Sequence, residues 1–194
     1  MNKRAQGHAD VALTDEGVKQ ALHAAGELAH LKLAAVYSSD LQRAYDTAKV
    51  IADSQGVEVI VDPDLREIDQ GEWEGLTVEE IRSRWPEEWG PARHYSARPG
   101  GETPQQVRDR ALKAVQRAVE AYPDETIVVV SHGGTIRWIS AESLGYDDRR
   151  SARIRGLGNG GIVCVEGQIA EAGLKLDCYE RWDGATPDLD DPND

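Results

Sequence analysis

One run of residues constrains this chain more than any other: Ile127-Val128-Val129-Val130-Ser131-His132-Gly133-Gly134. Four β-branched residues bounded by polar ones suit a buried parallel strand, although so short a run also fits buried helix. Gly133 and Gly134 let the backbone turn sharply and approach a ligand closely. Residues 135–144 then read as an amphipathic helix. A helix opening there has unpaired N–H groups at its positive dipole end, where an anion fits. His132 at that corner either holds a phosphoryl group or merely caps the strand–helix junction.

Elements alternate along the rest of the chain. Asp15 to Leu31 has the period of an amphipathic helix, with Val18, Ala21, Leu22, Ala25 and Leu28 on one face and Thr14 or Asp15 as cap. Ala34 to Tyr37 reads as a short strand, Asp40 to Gln55 as a helix stopped by Gly56, and Val57 to Val61 as another strand. Asp62 to Gly75 reads as loop, Thr77 to Trp85 as a short helix, and Pro86 to Gly101 as an irregular excursion. Glu102 to Ala121 is a long helix, capped by Thr103 with Pro104 in its first turn. Ile162 to Glu166 and Leu174 to Tyr179 form a hairpin. This alternation predicts an α/β fold with a mainly parallel sheet in one domain, residues 1–182. The Asp/Pro-rich residues 183–194 read as a disordered acidic tail.

Composition excludes several partners. A net charge of −13 opposes both nucleic acid and an anionic membrane, though a local basic pocket can still hold a small anion. No apolar stretch approaches the roughly 18 residues needed to span a membrane, and no signal peptide opens the chain. Cys164 and Cys178 lack metal-ligand spacing and read as reduced thiols, so a cytoplasmic location is expected.

In a parallel α/β sheet the site lies beyond the carboxyl ends of the strands. Three segments present polar groups there. Arg43, in the first turn of a helix after Ser38-Ser39-Asp40-Leu41-Gln42, can fork donors onto a phosphate, or can simply be solvated. Glu67, in Leu65-Arg66-Glu67-Ile68-Asp69-Gln70-Gly71-Glu72-Trp73-Glu74-Gly75, can serve as an acid or be an ordinary loop carboxylate. His132 is the third.

Together with Pro99-Gly100-Gly101-Glu102-Thr103 and Arg4-Ala5-Gln6-Gly7-His8-Ala9-Asp10, these segments resemble the histidine phosphatase superfamily, in its phosphoglycerate-mutase-like branch. The resemblance covers most of residues 4–182. It implies a three-layer α/β/α fold and a phosphomonoester hydrolase acting on a small phosphorylated metabolite through a phosphohistidine. It makes His132 the second, phosphate-binding histidine, Arg43 one of two arginines, and Glu67 the acid that protonates the leaving alcohol, with Gln6, Gly7 and Gly133 binding substrate. Neither metal nor cofactor is implied, because arginines and histidines supply the charge. A homodimer is an assembly common in similar proteins.

The family's Arg-His-Gly motif, which ends its first strand and carries the nucleophile, is missing from this sequence. His8 falls too late to replace it, His23 and His30 fall in a helix, and His94 lies in the irregular excursion. Asn2 is about two residues short of the matching asparagine. The expectation is therefore a fold whose first strand is absent, a nucleophilic histidine upstream of Met1, and a chain inactive alone. Unpaired neighbours of that strand would leave residues 1–194 poorly soluble, partly open or strand-swapped. The alternatives are an inactive anion-binding or regulatory member, and a phosphoglycerate mutase, whose larger cap residues 76–100 are too short to supply. Residues 156–161 and Arg181-Trp182 resemble actinobacterial relatives that include glucosyl-phosphoglycerate phosphatases.

Overall fold

The computed structural model describes residues 4–90, 96–151, 154, 157–171 and 173–181, with backbone alone at 148, 149 and 178–181. Asn2, His94, Gly156, Trp182 and the acidic tail lie outside them.

Helix α1 (Asp15–Leu28) starts at Thr14, whose hydroxyl accepts the Gly17 N–H at 3.1 Å. It leads to strand β1 (Ala35–Ser38), helix α2 (Gln42–Gln55) and strand β2 (Val59–Val61). Gly56 ends α2 in the left-handed conformation, with φ at 69°. Two 3-10 turns, Pro63–Leu65 and Gly71–Trp73, shape the loop before helix α3 (Val78–Arg84). Helix α4 (Pro104–Ala121) opens with a capping box between Thr103 and Gln106. Strand β3 (Ile127–Val130), helix α5 (Gly133–Ser143), the short α6 (Asp148–Ser151) and the hairpin β4 (Val163–Ala170)–β5 (Gly173–Arg181) complete the order.

Alternation along the strands builds the layers. Val36 of β1 and Val128 and Val130 of β3 pack with Ala25, Leu28, Ala48 and Ile51 of α1 and α2. Ala35, Tyr37, Ile127 and Val129 face the other way, onto Ala114 and Ala118 of α4 and onto Leu65. Successive residues point to opposite faces of a strand, so helices cover both sides of the sheet. The three strands are parallel in the order β2-β1-β3, with Ser38 paired to Val130. The carboxyl ends of β1 and β3 therefore lie side by side, and Ser39 N–H continues the ladder to the Val130 carbonyl at 3.1 Å.

Several expectations need correction. Helix α1 stops at Leu28, not Leu31, and its inward stripe is Ala21, Ala24, Ala25 and Leu28. Val18 and Leu22 point outward, 43% and 58% exposed. Ala25 and Leu28 of α1 pack with Ala48, Ile51 and Ala52 of α2, so small side chains dominate the contact between the two helices. Strand β3 is only partly buried rather than buried. Among the described residues no strand pairs with its edge away from β1, and β4–β5 forms its own antiparallel sheet. Helix α5 begins at Gly133, two residues before the expected start, and α6 had no sequence signal strong enough to mark it. No helix among the described residues is long and apolar enough to cross a membrane.

Candidate active site

The loops after β1, β2 and β3 meet above the strand ends. His132 caps the backbone turn into α5 and is 7% exposed. Its Nε2 lies 2.9 Å from the Ser39 hydroxyl oxygen, which also accepts the Leu41 N–H at 3.2 Å. Burial pushes the pKa of His132 down to about 3, and the positive charges of Arg43, Arg110 and His8 push the same way against Asp40. The ring is thus neutral at pH 7 and acts as a hydrogen-bonding group, so the fixed positive charge beside it belongs to arginine.

Arg43 sits at the second residue of α2. It donates to the Ala9 carbonyl at 2.8 Å and the Gly7 carbonyl at 2.9 Å. A guanidinium has five N–H donors, so three remain for an anion. Burial lowers the pKa of Arg43, while Glu67, Asp10 and Glu74 raise it. Gly7 is buried with φ at 51°, and a Cβ there would meet Glu74 Oε2 at 2.8 Å and Gln70 Cγ at 2.9 Å. Only glycine fits that turn. Gln6, by contrast, is exposed; its backbone carbonyl accepts the Ala9 N–H, and no hydrogen bond ties its side chain to the other candidates.

Glu67 holds both of its oxygens on backbone donors. Oε1 accepts the Ile68 N–H at 2.9 Å and Oε2 the Gly134 N–H at 3.0 Å. The second bond places a carboxylate at the N-terminus of α5, where negative charge is favoured. A Cβ on Gly134 would overlap that carboxylate, whereas one on Gly133 would meet nothing within 4 Å. The paired glycines therefore have separate roles: Gly134 admits Glu67, and Gly133 leaves open space beside His132.

The loop beneath Glu67 is held from several sides. Arg66 grips Asp40 through both carboxylate oxygens, and these bonds keep the Asp40 carboxyl below its usual range. Thr135 and Ser131 hydroxyls donate to the Arg66 and Leu65 carbonyls, each at 2.7 Å. His8 Nε2–H donates to the Glu67 carbonyl at 2.9 Å. Because a carbonyl only accepts, that nitrogen carries the proton. Among the described residues, no three His, Cys, Asp or Glu side chains gather as metal ligands would.

The family model for the histidine phosphatase superfamily (branch 1) matches residues 1–176. The chain belongs to the histidine phosphatase superfamily. Phosphoglycerate mutase-like protein 4 of Arabidopsis thaliana is 40% identical over 144 residues, which are 70% of this chain and 61% of that protein. A glucosyl-3-phosphoglycerate phosphatase of Mycolicibacterium vanbaalenii is 35% identical over 186 residues, 88% of this chain and 80% of the relative. The native structure of a mycobacterial glucosyl-3-phosphoglycerate phosphatase superposes with a TM-score of 0.84 at 31% identity, covering 94% of this chain and 93% of that one. The three-layer, parallel-sheet architecture is thus that of histidine phosphatase superfamily structures.

Within this superfamily chain, His132, Arg43, Glu67, Gly7 and Gly133 converge on the loops above β1 and β3, and Gln6 stays at the margin. The structure puts His8, which falls too late for the family motif, against the loop that carries Glu67. Ser39 beside His132 and Arg110 against the Glu67 carbonyl also belong to the site, although in the sequence Arg110 looks like any charged residue on a long helix.

Proposed function

We propose that the protein is a phosphomonoester hydrolase acting on a small phosphorylated metabolite through a phosphohistidine. The observation that carries this reading is Arg43: a half-buried guanidinium with three uncommitted donors, beside His132 and the open position at Gly133. Phosphoryl transfer needs alignment and stabilisation of charge on the equatorial oxygens, and this set offers both. Arg43 and the His132 ring bind those oxygens, and Glu67 gives a proton to the departing alkoxide.

The nucleophilic histidine is assigned to a segment upstream of Met1. One feature supports that assignment: the outer edge of β3 has no strand partner among the described residues. A strand added at that edge would end level with His132. Attack by the histidine nitrogen on phosphorus breaks the ester P–O bond, Glu67 protonates the leaving oxygen, and water then hydrolyses the phosphohistidine. The relatives named above make sugar and glycerate phosphates the first substrates to try.

The test uses protein isolated from its native source, incubated with a 32P-labelled phosphomonoester and quenched in alkali. The expected result is an alkali-stable, acid-labile label on a histidine N-terminal to Met1. Turnover with no such label, or with label on His8 or His132, contradicts the assignment. An intact mass equal to the 21.3 kDa chain, with phosphate binding but no turnover, favours the inactive binding-protein reading.

A further inference from the structure

The segment from Pro99 to Thr103 lies outside the phosphoryl-binding set, yet it is built into the loop that carries Glu67. Glu72 N–H donates to the Pro99 carbonyl at 2.8 Å and Glu102 N–H to the Asp69 carbonyl at 3.0 Å. Backbone lies directly on backbone: a Cβ on Gly71 would overlap the Pro99 carbonyl, and one on Gly101 the Asp69 carbonyl. The Glu102 side chain extends the contact, Oε2 accepting the Asp69 N–H at 2.9 Å.

The other partner of Glu102 is Arg110 on α4. Arg110 Nε donates to Glu102 Oε1 and Nη2 to Oε2, both at 2.9 Å. Its remaining donors turn onto the loop. Nη1 reaches the Asp64 and Arg66 carbonyls at 2.7 Å each, and Nη2 the Glu67 carbonyl at 2.8 Å. These five bonds use all five N–H groups of a guanidinium. The side chain is 15% exposed. Arg43 has donors left for an anion, whereas Arg110 has none. Burial works against ionising Glu102, but its bonds to Arg110 and the Asp69 N–H outweigh burial and hold it ionised.

We propose that Arg110, locked by Glu102, is a positioning residue for Glu67. It fixes the backbone on which the acid is mounted and acts on leaving-group protonation through Glu67, without touching substrate. This rests on the reading of Glu67 as the acid. Lysine cannot take its place, because three donors on one nitrogen cannot span three carbonyls and a carboxylate.

Arg110→Lys and Glu102→Gln test the proposal in two ways. The first is amide hydrogen exchange at Ile68 and Gly134, whose N–H groups donate to the Glu67 carboxylate. It is expected to speed up about tenfold or more in both variants, with amides of β1 unchanged, and it needs no turnover. The second compares an alkyl phosphate with p-nitrophenyl phosphate. The kcat for the alkyl ester is expected to fall about tenfold further than for the aryl ester, with KM held within about twofold. In a Glu67→Gln background, Arg110→Lys adds no further selectivity between the esters. Unchanged exchange at the two amides, or equal losses on both esters with a raised KM, overturns the proposal. Both kinetic comparisons use the N-terminally extended protein that carries the proposed nucleophile; if that protein hydrolyses neither ester, the phosphatase reading fails, and exchange alone decides whether Arg110 positions Glu67.

Discussion

The Glu67 carboxylate accepts the Gly134 N–H at 3.0 Å, so the first turn of α5 is capped by the residue assigned as the proton donor. A helix N-terminus is an anion site, and here an internal carboxylate takes one of its donors. A phosphoryl group bound next to it must use the neighbouring Gly133 and the Arg43 guanidinium. The relationship ties the proposed acid and the proposed phosphate site to one helix end, about one residue apart along the backbone.

The two glycines should therefore respond differently to alanine. Gly134→Ala forces its Cβ into the Glu67 carboxylate and is expected to cost about 1–3 kcal/mol of stability, as overpacking does. Gly133→Ala meets no atom within 4 Å and should stay within about 0.5 kcal/mol of the parent. Urea unfolding of both variants checks this; equal destabilisation would contradict the assigned geometry.

Glu67→Gln keeps the shape of the side chain but places an amide nitrogen against one of two N–H donors, at Ile68 or Gly134. As a general acid, Glu67 should contribute about 10²-fold or more to esters with poor leaving groups. The expected loss is large on an alkyl phosphate and small on p-nitrophenyl phosphate. Steady-state kinetics on the two esters, in the N-terminally extended form that carries the proposed nucleophile, decides; equal losses would remove Glu67 from the acid role.

His132 makes stability depend on pH. Its folded pKa of about 3 lies below the unfolded value near 6.5, so the unfolded chain takes up the proton first as pH falls. The contribution is fully present above pH 6.5 and is lost toward pH 3, by up to about 1.4 kcal/mol per pH unit. His132→Gln removes this titration while other acid-sensitive groups, such as Asp40, act equally in both proteins. Between pH 7 and 5 the parent should lose about 2 kcal/mol more unfolding free energy than the variant. Parallel losses would mean that the buried ring is not held neutral.

Much of the fold was legible because local chemistry agreed with tertiary structure. Thr14, Gly56 and Thr103 mark helix ends by bonds they make within a few residues, and the structure places the ends there. The inner face of α1 is ambiguous in the sequence because two stripes of that helix are apolar, and only packing on α2 decides between them. The partial burial of β3 was illegible from its own sequence, since Ile127 to Val130 read the same with one neighbouring strand or two. At the site, His132, Arg43 and Glu67 follow strands in a recognisable order. Arg110 is not legible in the sequence because, apart from Glu102 eight residues before it, its partners are backbone carbonyls 43 to 46 residues away, and carbonyls carry no sequence signature. His8 falls late in the sequence and within the Gln6-Gly7 segment, which gives no sign that a buried turn at Gly7, held by Arg43, brings it to Glu67.

The central claim is that Arg43 and His132 form a phosphoryl-binding site at the start of α5. Titrating inorganic phosphate into the 15N-labelled protein and following amide resonances tests it most directly. Saturable shifts centred on Gly133 and Gly134 and on the Ser39–Arg43 segment, weakened at least about tenfold by Arg43→Lys, are the predicted result. Shifts that fall elsewhere, or that persist unchanged in Arg43→Lys, would contradict the account.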